Sequence, residues 1–274
     1  MKRRVLPGLH LTLGLTLLYV SIIVVLPLGA LVYKAASLGL VDYWRIVSSG
    51  RAVASYRVTV LCALGATVFN LVFGFALAWV LVRYRFPGRR FVDALVDLPF
   101  ALPTAVAGIA LTAIYAPNGM IGSLLQPFGI KIAYTPLGIV VALIFIGLPF
   151  VVRTVQPVIE EISHEVEEAA ATLGASRAQT IFQVILPGLA PAILTGFALA
   201  FGRAVGEYGS VIFIAGNIPF VSEIAPLLIV MRLEEYNYPA ATAIGSIMLV
   251  MAFFVLLAIN LVQAWSRRRY GYGG

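Results

Sequence analysis

Glu168-Ala-Ala-Ala-Thr-Leu-Gly174-Ala-Ser-Arg-Ala-Gln-Thr-Ile-Phe-Gln-Val184-Ile-Leu-Pro187 is the stretch on which the reading of this chain turns. It reads as two short amphipathic helices joined at Gly174, set between hydrophobic segments long enough to cross a membrane. A membrane protein has little physical reason to build a compact helical pair in a loop unless something docks there.

Outward from that loop the composition is that of a bilayer protein. Hydrophobic residues make up 61% of the chain and charged residues 11%, with a mean hydropathy of +0.99. A soluble domain of this length carries about twice as much charge. Charged positions divide the chain into runs that can each span the hydrocarbon core, which takes roughly 20 helical residues. They predict six spans: Leu11 to Tyr33, Val58 to Val82, Leu98 to Ala116, Pro136 to Val152, Ala190 to Ala215 and Ala240 to Trp265. Helices are expected, because a span must satisfy its own backbone hydrogen bonds and these runs lack the alternation of barrel strands. The expectation is an all-α, polytopic membrane domain over residues 1–274, with one long loop over 153–188. The first run is too long for the apolar part of a cleaved leader. Cys62 falls inside the second span and is expected in the packing core.

Six spans put both termini on one side, and Lys and Arg choose the side. Lys2, Arg3, Arg4, Arg83, Arg85, Arg89, Arg90, Arg153, Arg177, Arg267, Arg268 and Arg269 lie with the termini. Lys34, Arg45, Arg51, Arg57, Lys131 and Arg232 lie opposite, and Arg203 is left inside a span. Twelve against six makes the termini and the 153–188 loop cytoplasmic. The net charge of +7 then reflects topology and attraction to anionic headgroups, with no nucleic-acid partner.

Within the loop, Ile162, Val166, Ala169, Ala170 and Leu173 recur at helical spacing, with Glu160, Glu161, His164, Glu165 and Glu168 mostly off that stripe. Gly174 suits a left-handed C-terminal cap. Ser176 and Gln179 then have capping-box spacing for a second helix with the stripe Ala178, Ile181, Phe182 and Ile185, which Pro187 is expected to stop. Both stripes are expected to seat against the spans and leave an acidic face free. Glu168 is the residue expected to meet a basic group on a partner. The alternative is a solvated amphipathic loop.

No Gly-x-x-x-x-Gly-Lys-Ser/Thr loop occurs, so nucleotide hydrolysis must come from another chain. His10 and His164 are too isolated for a metal site. The chain is therefore not expected to be an enzyme or to bind a cofactor itself.

Polar residues inside the spans are the other candidates. Arg203 and Glu207 lie one helical turn apart and can pair, beside a ladder of small residues at Ala198, Gly202, Gly206 and Ser210. An intramembrane charge costs at least ~2.5 kcal/mol on insertion scales. They are read as lining or gating a pathway, with a structural ion pair as the alternative. Asp97, Pro99 and Pro103 open the third span and forbid a straight helix there, giving either a bend or, with Thr104, an anion contact. Asn70 is read either as a pore residue or as an interhelical hydrogen-bonding group. Val41 to Ser48 is expected at the interface with Tyr43 and Trp44 as anchors, and Asn217 to Tyr238 holds an apolar run too short to span.

The spacing Glu168-Ala-Ala, three residues, Gly174, nine residues, then Val184-Ile-Leu-Pro187 resembles the coupling loop by which type I ABC importer permeases grip their ATPase. Val184 stands where isoleucine is usual. Glu165, Glu168, Ala169, Ala170, Gly174, Ala175 and Pro187 are then the docking residues. Arg83-Tyr-Arg-Phe-Pro-Gly-Arg89, the run from Asp97 to Gly108, Pro149 to Pro157, Gly206-Glu-Tyr-Gly209 and Ile212 to Asn217 are similar to the sulfate/thiosulfate permease family of the CysT type. Tyr208 replaces a phenylalanine common in related permeases. The resemblance implies sulfate or thiosulfate import across the cell inner membrane. It also implies a CysW-like homologous permease, two CysA-like ATPase copies that use ATP and Mg, and a periplasmic sulfate/thiosulfate-binding protein. Molybdate, tungstate or another solute in the same architecture is the alternative cargo, and a gradient-driven carrier the alternative class.

Overall fold

The computed structural model describes residues 9–270, so Lys2, Arg3 and Arg4 lie outside the described residues. Helices α1 (Leu9–Val20) and α2 (Leu26–Ala36) are joined by a π-helical turn over Ser21–Val25. Then come α3 (Leu40–Val47), α4 (Gly50–Arg83), α5 (Arg89–Val96), α6 (Leu98–Ala101), α7 (Thr104–Tyr115) and α8 (Gly122–Leu125). Next are α9 (Pro136–Glu161), α10 (His164–Thr172) and α11 (Arg177–Gln179), with a second π turn over Thr180–Ile185. The last are α12 (Leu186–Val205), α13 (Val211–Ile214), α14 (Ala225–Glu234) and α15 (Tyr238–Tyr270). No strand occurs among the described residues.

Among the described residues five helices, not six, are long and apolar enough to cross a bilayer: Leu11–Ala36, Gly50–Arg83, Pro136–Glu161, Arg177–Val205 and Tyr238–Ala264. The run expected as the third span is divided. Leu102 is extended (ψ 133°) ahead of Pro103, as a residue before proline tends to be. This leaves a four-residue α6 and a twelve-residue α7. The fifth helix also departs from the sequence reading, at both ends. It begins at Arg177 and runs unbroken through Pro187 and Pro191, then stops at Val205 with Gly206 as its C-cap, short of Ala215. Pro187 does not end it because the π turn immediately before changes the hydrogen-bonding register where a proline has no N–H to give. The same device precedes Pro27 in the first rod.

α4, α9 and α12 form the centre. Small residues such as Ala63, Ala66, Ala142, Ala200 and Ala204 are buried along their shared faces, which lets membrane helices approach closely. One cluster joins Leu81, Val96, Val155, Ile159, Ile185 and Leu189. A second joins Ala63, Ile139, Leu143, Phe201, Ile214 and Ile224, and a small third joins Ala52, Leu228 and Ile244. Outward faces stay apolar, with Val72 at 60%, Phe73 at 56% and Phe254 at 61% exposure. Hydrocarbon, not water, is the solvent that suits them.

Contacts along α4 distinguish the two ends of the bundle. Arg83 at its C-terminus meets Ile162 and Glu167. Near its N-terminus, Arg51 meets Glu223, Thr59 accepts from the Ala225 N–H, and Cys62 Sγ points to the Pro136 carbonyl. The chain therefore travels from the loop end at Arg83 to the opposite end at Thr135 by way of α5, α6, α7 and α8. At that opposite end, Tyr43 is tied to Ser246 (2.9 Å) while Trp44 is 67% exposed, so only the tryptophan has the exposure of an anchor. α14 is buried through Ala225, Leu227 and Leu228, a short helix tucked into the bundle.

Candidate functional site

The loop between α9 and α12 is built by caps. Ser163 Oγ accepts the Glu165 N–H (3.1 Å) at the start of α10. At its end Gly174 adopts φ +81°, and the Gly174 and Ala175 N–H groups return to the carbonyls of Ala171 and Ala170 (both 3.0 Å). That pattern is a Schellman motif, and it needs a residue free to be left-handed. Ser176 and Gln179 then close a capping box, Gln179 Oε1 accepting from Ser176 N at 2.8 Å and Ser176 Oγ from Gln179 N at 3.3 Å. The turn is held at both sides of Gly174, so its tip has a fixed shape.

The seated and free faces differ from the sequence expectation. Ala170 and Ile185 are buried and Ile181 half-buried, but Leu173 is 88% exposed, Phe182 68% and Val166 41%, and Ala169 is exposed beside them. Glu167 turns inward. Its carboxylate meets Arg83 Nη2 at 3.0 Å, the same nitrogen donates to the Ile162 carbonyl (3.0 Å), and the guanidinium lies 5.4 Å from the centre of the Trp79 ring. Pairing with a nearly buried arginine fixes the rotation of α10. The free face is therefore mixed, Leu173 and Phe182 standing with exposed Glu165 and Glu168. Half-buried Ala175 and Glu168 help line a cleft of about 460 Å³ under the loop, and Val166 lines a second of about 620 Å³. Pro187 sits half-buried inside the continuous helix.

A second cluster lies at the far end of that helix. Arg203 is ion-paired with Glu207. Glu207 Oε1 also accepts from Ser210 N (2.9 Å) and Ser210 Oγ (3.1 Å). Glu207 is 2% exposed and Ser210 fully buried. These bonds wrap the chain into the turn that separates α12 from α13. A side chain at Gly209 would stand 2.2 Å from Thr104 Oγ1, and one at Gly108 would stand 2.4 Å from the Ser210 carbonyl. Thr104 of α7 thus packs against Gly209 of the turn that Glu207, paired with Arg203, holds through Ser210. The small-residue ladder does not form one packing face, because the helix ends at Val205 and both Gly202 and Gly206 are exposed.

Asn70 is apart from this group. It is 1% exposed in α4, set against Gly147 of α9, and neither atom of its amide has a hydrogen-bond partner. The interhelical hydrogen bond open to it from the sequence is not made.

Sequence reasoning passed over Arg153 and its partners. One fork holds Asp97 through Nε (2.8 Å) and Nη2 (2.7 Å), Asp93 through Nη1 (2.6 Å), and Gln156 Oε1 (2.8 Å). Asp97, half-buried Pro99 and exposed Pro103 thus belong to a hinge whose first half is clamped to α9. The one available signal was Asp93 and Asp97 at helical spacing beside a lone arginine in a proline-rich helix.

Residues 70–272 match the family described as binding-protein-dependent transport system inner membrane component. The chain is 53% identical over 268 residues to the sulfate transport system permease protein CysT of Salmonella typhimurium, covering 98% of this chain and 97% of that one. It is 54% identical over 253 residues to the CysT protein of Synechocystis sp., covering 92% and 88%. Among solved structures it resembles a chain of a bacterial ABC transporter involved in import of the acidic polysaccharide alginate, with a TM-score of 0.76, 20% identity and 95% of each chain covered. It also resembles a chain of the MetNI methionine ABC transporter in an inward-facing form, with a TM-score of 0.60, 18% identity and 78% and 95% covered. At those identities the structures speak to fold alone.

Proposed function

Because the chain belongs to the binding-protein-dependent transport system inner membrane components, and within them to the CysT sulfate permeases, we propose that it is the membrane subunit through which an ATP-driven importer carries sulfate, and also thiosulfate. The motor is a separate ATPase bound on the cytoplasmic side in two copies. A homologous permease completes the pathway, and a periplasmic binding protein delivers the anion.

The observation that carries the docking role is the exposure of Leu173 and Phe182, 88% and 68%, on the two helical segments either side of a turn capped at both sides. Exposed apolar side chains on a rigid polar-rimmed loop suit a protein partner. The unbroken helix from Arg177 to Val205 gives the partner leverage. Its 29 residues rise about 40 Å, from the docking tip to Arg203. Closure of the ATPase dimer on ATP would draw the two docking loops of the permease pair together. This chain's loop would move α12 directly, and α4 and the end of α9 through Arg83, Glu167 and the Ile162 carbonyl. The shift of Arg203 and Glu207 against Thr104 then opens the path outward, and hydrolysis with product release reverses it.

Proteoliposomes holding the complete complex test this reading. Uptake of labelled sulfate should require ATP inside, the ATPase, and the sulfate-binding protein outside. Uptake by this chain alone would assign it to gradient-driven carriers. Stimulation only by a molybdate-binding protein would change the cargo and keep the architecture.

A further inference from the structure

We infer that the turn between α4 and α5 is a binding site for the phosphate of an anionic phospholipid, placed beside the docking loop. A hollow of about 330 Å³ is lined by Arg85, Phe86, Gly88, Arg89 and Arg90. Arg85 and Arg90 are exposed and Arg89 half-buried, and none of the three joins an ion pair among the described residues. Gly88 opens the hollow with φ +83° and nothing within 4 Å of where a side chain would begin. The neighbouring cations differ in this respect: Arg83 is taken by Glu167 and Arg153 by Asp93 and Asp97. Three arginines bordering one hollow with no carboxylate in its lining call for an anion supplied from outside the chain.

The flanks indicate which anion. From Val58 to Val82 the 25 residues of α4 rise about 37 Å, so the turn after Arg83 falls at headgroup depth. α5 has three sides. Val96 is buried and Val92 packs on the core, Asp93 is held by Arg153, and Phe91 and Leu95 stand 68% and 46% exposed on a common face. Val80 (40%) near the end of α4 and Leu98 (41%) and Phe100 (55%) of the following α6 are exposed as well, apolar surface that suits acyl chains. Tyr84, 52% exposed, adds an aromatic at the same level. A soluble protein partner would match the arginines and leave the adjoining lipid-facing belt unexplained. An anionic lipid satisfies both, with its phosphate among the arginines and its tails along Phe91 and Leu95.

The site rests on the proposed orientation, with the docking loop toward the anionic cytoplasmic leaflet. Its test is native mass spectrometry of lipids retained by the whole complex, purified from nanodiscs of mixed phosphatidylglycerol and phosphatidylethanolamine. Each arginine is expected to contribute about a fivefold preference for the anionic lipid. The R85Q/R89Q/R90Q variant should therefore lose on the order of a hundredfold in retained phosphatidylglycerol, with ATPase subunits still bound. R85K/R89K/R90K should keep most of it. Unchanged retention in the Gln variant would overturn the site, and so would loss of the ATPase from that variant, which would make the patch a protein contact. Labelling of an Arg90→Cys chain from the external side would sink the orientation independently of the lipid result.

Discussion

Glu207 is the residue whose environment constrains the account most. Its carboxylate is 2% exposed and is satisfied by Arg203 and by both donors of Ser210. Removing Arg203 leaves a buried charge without its counterion, which destabilises by about 3–5 kcal/mol. Arg203→Gln should thus lower thermal stability as well as transport, and neither effect alone identifies a pathway role. The neutral pair R203Q/E207Q separates them. It should regain most of the stability, yet sulfate uptake should remain at least tenfold down because the positive potential for the anion is gone. Normal uptake in that stable double variant would reduce the pair to a structural bond. Arg83 and Glu167 make a different prediction. In Glu167→Gln the ATPase should stay bound and keep hydrolysing ATP, while anion carried per ATP falls several-fold. Arg203 with Glu207 was legible in the sequence because residues four apart share a helix face. Arg153 with Asp93 and Asp97 was not, because partners 60 and 56 positions away leave no periodic trace.

At the scale of elements, prolines account for most differences between the sequence and the structure. Pro103 divides α6 from α7, but Pro187 sits in the middle of a continuous helix. The same residue type gives opposite results because the chain before Pro103 is extended and the chain before Pro187 is a π turn. A hydrophobicity pattern does not report backbone register, so the joining of the docking helix to α12 could not be read there. On the proposed coupling, its consequence for function is mechanical. Gln183 and Val184 are exposed, and glycine at both costs about 1 kcal/mol each in helix stability without opening the core. Q183G/V184G should assemble and hydrolyse ATP, with uptake per ATP reduced because the lever bends. An unchanged ratio would show that force reaches Arg203 by another route. The caps on either side of the turn were legible, since Gly174 and the Ser176 and Gln179 box follow from local chemistry, whereas the Ser163 cap of α10 was not read. Gly174→Ala should destabilise the loop by about 1–2 kcal/mol through its left-handed backbone, seen as faster amide exchange over α10.

For the whole molecule, segment hydrophobicity recovered an all-helical membrane protein, while the packing of α4, α9 and α12 at its centre came only from the structure. The apolar runs were found because hydrocarbon demands them. The third passage shows the interruption that Pro99 and Pro103 predict, but apolar length alone does not say that it leaves a four-residue α6 and a twelve-residue α7 too short to count as a spanning helix. The rotation of α10 was misjudged. An amphipathic stripe predicts which residues share a face but not which face a distant arginine will claim, and Arg83 claimed Glu167. That rotation leaves Leu173, the C-cap of α10, pointing outward on the face proposed for docking. The central claim is that this tip holds a separate motor, and co-purification of the ATPase with Leu173→Glu and Phe182→Glu chains tests it most directly. Both side chains are exposed, so the variants should keep wild-type helicity and melting temperature. The account predicts loss of the ATPase and of ATP-driven sulfate uptake in each. Full retention of the ATPase with normal uptake in both variants would contradict it.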